Sequence, residues 1–114
     1  MKENSKITLE KILRYCADIR ALVERYHNDF EAYRDDIAFQ YSCNMCLIQI
    51  GELVTRLPDA FKSEYCSIPW RAIVGMRNFH AHDYDNIDLE LVWHTLTVEI
   101  PELEVKLNLI LESL

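Results

Sequence analysis

Hydrophobic residues recur along this chain at three- and four-residue intervals, the spacing that lines one face of a helix. Over ITLEKILRYCADIRALVERY the stripe runs through Ile7, Ile12, Tyr15, Cys16, Ile19, Val23 and Tyr26, with Asn4 or Ser5 placed to cap its start. A second helix is predicted from about Phe30 to Leu57, with Ile37, Tyr41, Ile48, Leu53 and Leu57 in its stripe. Pro58 ends it, because a residue before proline avoids the helical region. Residues 59–67 read as a loop or short turn. Ser67-Ile68-Pro69-Trp70 then opens a third helix, Ser67 as cap and Pro69 in the first turn, running to about His82. Asp83-Tyr84-Asp85-Asn86 is a turn by composition. A fourth helix starts near Asp88 and carries Leu91, Val92, Leu96 and Val98, and Pro101 kinks it or opens a fifth, PELEVKLNLILES.

With 114 residues, half of them hydrophobic, and only 2 Gly and 3 Pro, the chain has a core but too few turns for a sandwich or barrel. The expectation is one domain, residues 1–114, folded as an all-α antiparallel four- to five-helix up-and-down bundle. No apolar run approaches the roughly 18 residues of a membrane span, and MKENSK lacks the apolar region of a signal peptide. A soluble, cytoplasmic protein is predicted. Gly51 stands alone inside the second helix, where glycine costs roughly 1 kcal/mol against alanine. It is either tolerated or marks the close approach of another helix.

Charge is distributed unevenly. Residues 1–82 balance, with 11 basic and 11 acidic side chains, whereas 83–114 hold 8 acidic residues against Lys106 and carry the whole net charge of -7. General coating of nucleic acid is disfavoured, since that needs a basic surface, but a local cationic groove is not. Cys43 and Cys46 lie three apart on one helical face, without the strand that a thioredoxin-type pair follows or the second ligand pair that zinc needs. Cys16, Cys43, Cys46 and Cys66 therefore read as free thiols, and no metal or other cofactor is expected.

The chemistry concentrates in Arg77-Asn78-Phe79-His80-Ala81-His82-Asp83-Tyr84. Histidine exchanges protons near neutrality, and arginine offers a planar fork of donors to a phosphate. Together they suffice to cleave a phosphodiester without metal, although such clusters are more often structural. On a regular helix Arg77 and His82 stand about 140° apart, so they meet one substrate only if the helix ends near Ala81 or a second protomer completes the site. Either points to a cleft at a helix end or to a dimer seam, and a homodimer with the two motifs facing each other is predicted.

Arg77, His82 and Tyr84 match the R-x4-H-x-Y motif, and the chain resembles the HEPN superfamily, in its HepT toxin-like branch. Asn78 after the arginine, Ile50-Gly51-Glu52, Ile68-Pro69-Trp70 and Ile87-Asp88-Leu89-Glu90-Leu91-Val92-Trp93 extend the likeness over roughly residues 30–114. The resemblance implies a dimeric helical bundle acting as a metal-independent endoribonuclease. It implies Arg77 and His82 as catalytic residues, and as partner a minimal nucleotidyltransferase antitoxin that transfers AMP to Tyr84. His80 lies outside the motif and reads as a cleft or interface residue, and Asn78 as a positioner or a packing amide. Glu52 is either helix surface or a partner for an arginine, and Trp70 and Trp93 are core or interface anchors. The acidic tail with Glu99, Glu102, Glu104 and Glu112 is a solvated face or a docking surface for a basic antitoxin. The alternative function is a non-catalytic subunit that presents a nucleotide or other substrate to the nucleotidyltransferase.

Overall fold

The computed structural model describes residues 2–78 and 88–114, with side chains omitted for Lys2, Glu3 and Asn78. The element order is α1 (Lys2–Arg25), α2 (Phe30–Asp35), α3 (Ile37–Val54), α4 (Asp59–Glu64), α5 (Trp70–Gly75), a 3₁₀ turn (Met76–Asn78), α6 (Leu89–His94), a π-helical segment (Thr95–Glu99) and α7 (Ile100–Ser113). There is no strand among the described residues, and the architecture is the expected all-α bundle.

α1 buries Leu9, Ile12, Cys16, Ile19 and Val23 against α3 and α7. Its start lies earlier than the sequence suggests: Asn4 and Ser5 are inside the helix, and Thr8 Oγ1 donates back to the Asn4 carbonyl. Two crossed backbone bonds end it, Asn28 N to Val23 O and His27 N to Glu24 O, the pattern of a Schellman cap. His27 occupies the left-handed position (φ 61°) that glycine usually fills.

The segment predicted as one helix from Phe30 to Leu57 is two. Asp36, extended at φ -120° and ψ 106°, interrupts it and accepts from the Ala38 and Phe39 N–H groups as the cap of α3. The Gln40 side-chain amide reaches back to the Tyr33 and Arg34 carbonyls, which satisfies the end of α2. Of the stripe expected for this segment, Leu53 and Leu57 are buried as predicted and only its first part is turned outward. Phe39, Cys43, Leu47, Ile50 and Val54 face the core, whereas Ile37 and Tyr41 are 60 % and 52 % exposed.

Residues 59–64, read as loop, form the short helix α4. Ser67 does not cap α5; Pro69 holds that position with no side-chain hydrogen bond. The Trp70 indole N–H fixes the start of α5 instead, between the Lys62 and Tyr65 carbonyls at 3.1 Å each.

α6 starts next to Asp88, as predicted, and Asp88 caps it by accepting from the Glu90 and Leu91 N–H groups. Pro101 has no N–H for the next helical bond and its ring crowds the carbonyl four residues back. The backbone widens ahead of it: Ile100 N–H bonds to Thr95 O, one residue further than in an α-helix. Upstream of this bulge Trp93 joins an aromatic cluster with Phe30, Tyr33 and Phe39. Downstream, Leu103, Leu107 and Ile110 are buried, and Glu104 pairs with Arg20 of α1.

Candidate functional site

Arg77 stands on the 3₁₀ turn that follows α5, held by the burial of Ile73 and Met76 on either side of Gly75. On the far side of this turn lies α3. A Cβ placed on Gly51 would sit 3.0 Å from Arg77 N, 3.0 Å from Ile73 O and 3.2 Å from Arg77 Cβ. All three lie inside ordinary van der Waals contact, and two of them are backbone atoms. Glycine at position 51 is therefore what lets α3 lie directly against the turn, the close approach that was one of the two readings open from the sequence.

The next residue turns that approach into an electrostatic contact. Glu52 Oε1 stands 3.6 Å from Arg77 Nη1, too far for a hydrogen bond and near enough for an ion pair. Of the two roles open to Glu52, partner for an arginine is the one observed. The Arg77 and Glu52 side chains are 42 % and 47 % exposed, so the guanidinium is tethered yet open to a solute. A guanidinium in this setting can offer remaining donors to an anionic oxygen such as that of a phosphate.

Other features do not compete with this turn for chemistry. Cys16, Cys43 and Cys46 are buried and free, and burial pushes their thiols up to about 12, 12 and 11, which keeps them protonated and unreactive. Cys66 is free and exposed. No group of three or more His, Cys, Asp or Glu among the described residues could hold a metal ion. A cleft of about 140 Å³ between α5 and α7, lined by Ile73, Met76, Thr95 and Leu103, runs behind the turn and does not include Arg77.

A model of the ribonuclease HepT-like family matches residues 12–110. The chain belongs to that family. It is 35 % identical over 106 residues to the "Putative RNase TTE0752" of Caldanaerobacter subterraneus subsp. tengcongensis, covering 92 % of each chain. It is 33 % identical over 113 residues to the "Putative RNase MJ0125" of Methanocaldococcus jannaschii, covering 99 % of this chain and 96 % of that one. To the "Probable ribonuclease HepT" of Thermococcus cleftensis it is 32 % identical over 108 residues, 93 % and 94 % of the two chains. No solved structure matches.

In this HepT-like chain the predicted site divides between described and undescribed residues. Arg77 is placed as above, and Asn78 ends the same turn, its side chain outside the description. His80, His82 and Tyr84, and the Asp83–Asn86 turn, lie outside the described residues. A feature the sequence reading missed is the outer face of α3. Ile37, Tyr41 and Met45 are 60 %, 52 % and 56 % exposed, Ile48 is half-buried, and the same line ends at Glu52. Steps of four, four, three and four residues put these side chains in one line along the helix. Its signal was the coincidence of two apolar stripes on one helix, of which a bundle core needs only one. No described helix is long and apolar enough to cross a membrane.

Proposed function

We propose that the chain is a metal-independent endoribonuclease toxin, with Arg77 and His82 as its catalytic residues. The observation that carries this is the placement of Arg77: its backbone is clamped on Gly51, its guanidinium is open to solute, and the motif histidine follows five residues later. Membership of a ribonuclease family supports RNA as substrate. In the reaction the 2′ oxygen attacks the adjacent phosphorus, the bond from phosphorus to the 5′ oxygen breaks, and a 2′,3′-cyclic phosphate and a 5′ hydroxyl result. His82 moves a proton, as base on the 2′ hydroxyl or acid on the departing 5′ oxygen, and Arg77 balances the charge on phosphorus. Asn78 and His80 support the site.

The active form is a homodimer. The exposed line from Ile37 through Met45 supports this, because it ends at Glu52 beside Arg77, so that a second copy seated on it would lie next to the site. Control lies at Tyr84, to which a nucleotidyltransferase antitoxin transfers AMP from ATP, releasing pyrophosphate. Added phosphate and adenosine beside Arg77 and His82 would repel and block an anionic substrate.

The test is cleavage of RNA by wild type beside His82→Ala and Arg77→Ala, with EDTA present. Loss of proton transfer should cost roughly 10²–10⁴ in rate while circular dichroism stays unchanged. A folded His82→Ala protein that still cleaves as wild type rejects the assignment. So does a wild-type chain that binds nucleotides yet cleaves no RNA, the outcome expected of a non-catalytic presenting subunit.

A further inference from the structure

We infer that Glu52 is a positioning residue for Arg77, which it steers through an ion pair at one guanidinium nitrogen, Nη1, so that the other donors meet the substrate phosphate; this rests on the ribonuclease reading above. The argument begins with rigidity. Arginine has a long, flexible side chain, and an exposed one samples many rotamers, so its mere presence in a motif does not aim it. Here two successive residues of α3 act on it at two levels. Gly51 brings the α3 backbone against Arg77 N and Cβ, which fixes where the side chain starts. Glu52, one residue on, stands 3.6 Å from Nη1, which biases where the side chain ends.

The pair is too exposed to matter much for folding, since surface ion pairs contribute little to stability. A carboxylate beside a phosphate-binding arginine also repels the phosphate, so its presence is a cost to substrate affinity. A group that contributes little to the fold and opposes binding is useful where geometry limits the rate. The Glu52 backbone lies on a long helix held by buried Ile50, Leu53 and Val54, so the carboxylate starts from a fixed point when it meets Arg77.

The experiment compares full-length wild type, Glu52→Gln and Glu52→Asp by two readouts. The first is the Arg77 side-chain Nε–Hε resonance, assigned by its loss in Arg77→Lys, with its ¹⁵N relaxation. Wild type should show a restrained side chain and Glu52→Gln a freely averaging one. The second is cleavage of a single-stranded RNA oligonucleotide: Glu52→Gln should lose about 10- to 100-fold in kcat, the scale of a misplaced catalytic group, with KM unchanged or lower. Glu52→Asp, which keeps the charge, should recover part of that loss, and the unfolding midpoint should be unaltered in both.

Identical Arg77 relaxation in wild type and Glu52→Gln overturns the inference. So does a Glu52→Gln protein with full or raised kcat and lowered KM, which would make Glu52 a competitor of the phosphate instead. If wild type cleaves no RNA, the ribonuclease reading fails by itself and the relaxation comparison still decides whether Glu52 holds Arg77.

Discussion

Adding one methyl group at Gly51 tests the contact on which the Arg77 turn depends. In Gly51→Ala the new carbon meets Arg77 N and Ile73 O at 3.0 Å and Arg77 Cβ at 3.2 Å. The two closest partners belong to the backbone, so no side chain can rotate away and the turn itself must retreat by a few tenths of an ångström. Overpacking of this kind costs about 1–3 kcal/mol. Replacing glycine by alanine inside a helix returns roughly 1 kcal/mol. The balance is a net loss of about 1 kcal/mol, and each such unit lowers the melting temperature by roughly 4–8 °C in a domain of about this size. Gly75 is the internal control, since it is exposed at the end of α5 and a Cβ there meets nothing within 4 Å. Gly75→Ala should be neutral or stabilising by up to about 1 kcal/mol. Both variants are read by thermal and urea unfolding followed by circular dichroism. If Gly51→Ala proves as stable as Gly75→Ala, α3 and the turn are not locked together and the reasoning is refuted.

Met45→Glu or Tyr41→Arg places a charge in the exposed seam of α3 and should convert a dimer to a folded monomer in light scattering at tens of micromolar. An unchanged dimer moves the interface elsewhere. Tyr84→Phe should keep most RNA cleavage yet escape inactivation by the cognate nucleotidyltransferase and ATP, with peptide mass spectrometry mapping the AMP of wild type to Tyr84. AMP mapped to another residue would overturn that control mechanism. The buried thiols predict a loss of stability in alkali. Burial raises Cys16 and Cys43 from an ordinary 9.0 to about 12, and Cys46 to about 11, so the fold binds these protons more tightly than the unfolded chain does. Stability is complete below pH 9.0 and falls as pH rises from there towards 11 or 12. A urea midpoint as steep in wild type as in a Cys16→Ala, Cys43→Ala, Cys46→Ala protein would argue against it.

The bundle was legible because its helices are long and its apolar spacing regular, but several assignments needed the third dimension. Asp36 caps α3, yet a capping aspartate and a surface aspartate look alike inside an otherwise periodic run, and Asp35 beside it is an ordinary surface residue. The first part of α3 was misread because both of its stripes have helical spacing; only packing against α1 decides that Cys43 and Leu47 go in and Tyr41 and Met45 stay out, whereas Leu53 and Leu57 are buried as expected. Within the site, Gly51 announced itself, since a glycine inside a helix asks for a reason. The pairing of Glu52 with Arg77 joins residues 25 apart in sequence and depends on how α3 meets the turn, which no local pattern records.

The wide turn at Thr95–Glu99 has a consequence for how one helix can serve two neighbours. A residue added within a helix rotates everything after it by about 100° relative to everything before. The strand of backbone from Leu89 to Ser113 is in that sense two helices in different phase, soldered end to end. Its first part turns Trp93 toward the rings of Phe30, Tyr33 and Phe39, and its second turns Leu107 toward the core and Glu104 toward Arg20 of α1. A straight rod of the same length would have to surrender one of these walls. Removing a single residue between Thr95 and Glu99 should therefore close the wide turn to an ordinary helical one and leave Ile100–Ser113 in register with α1, whereas removing one from within Ile100–Ser113 would turn everything after it by about 100°.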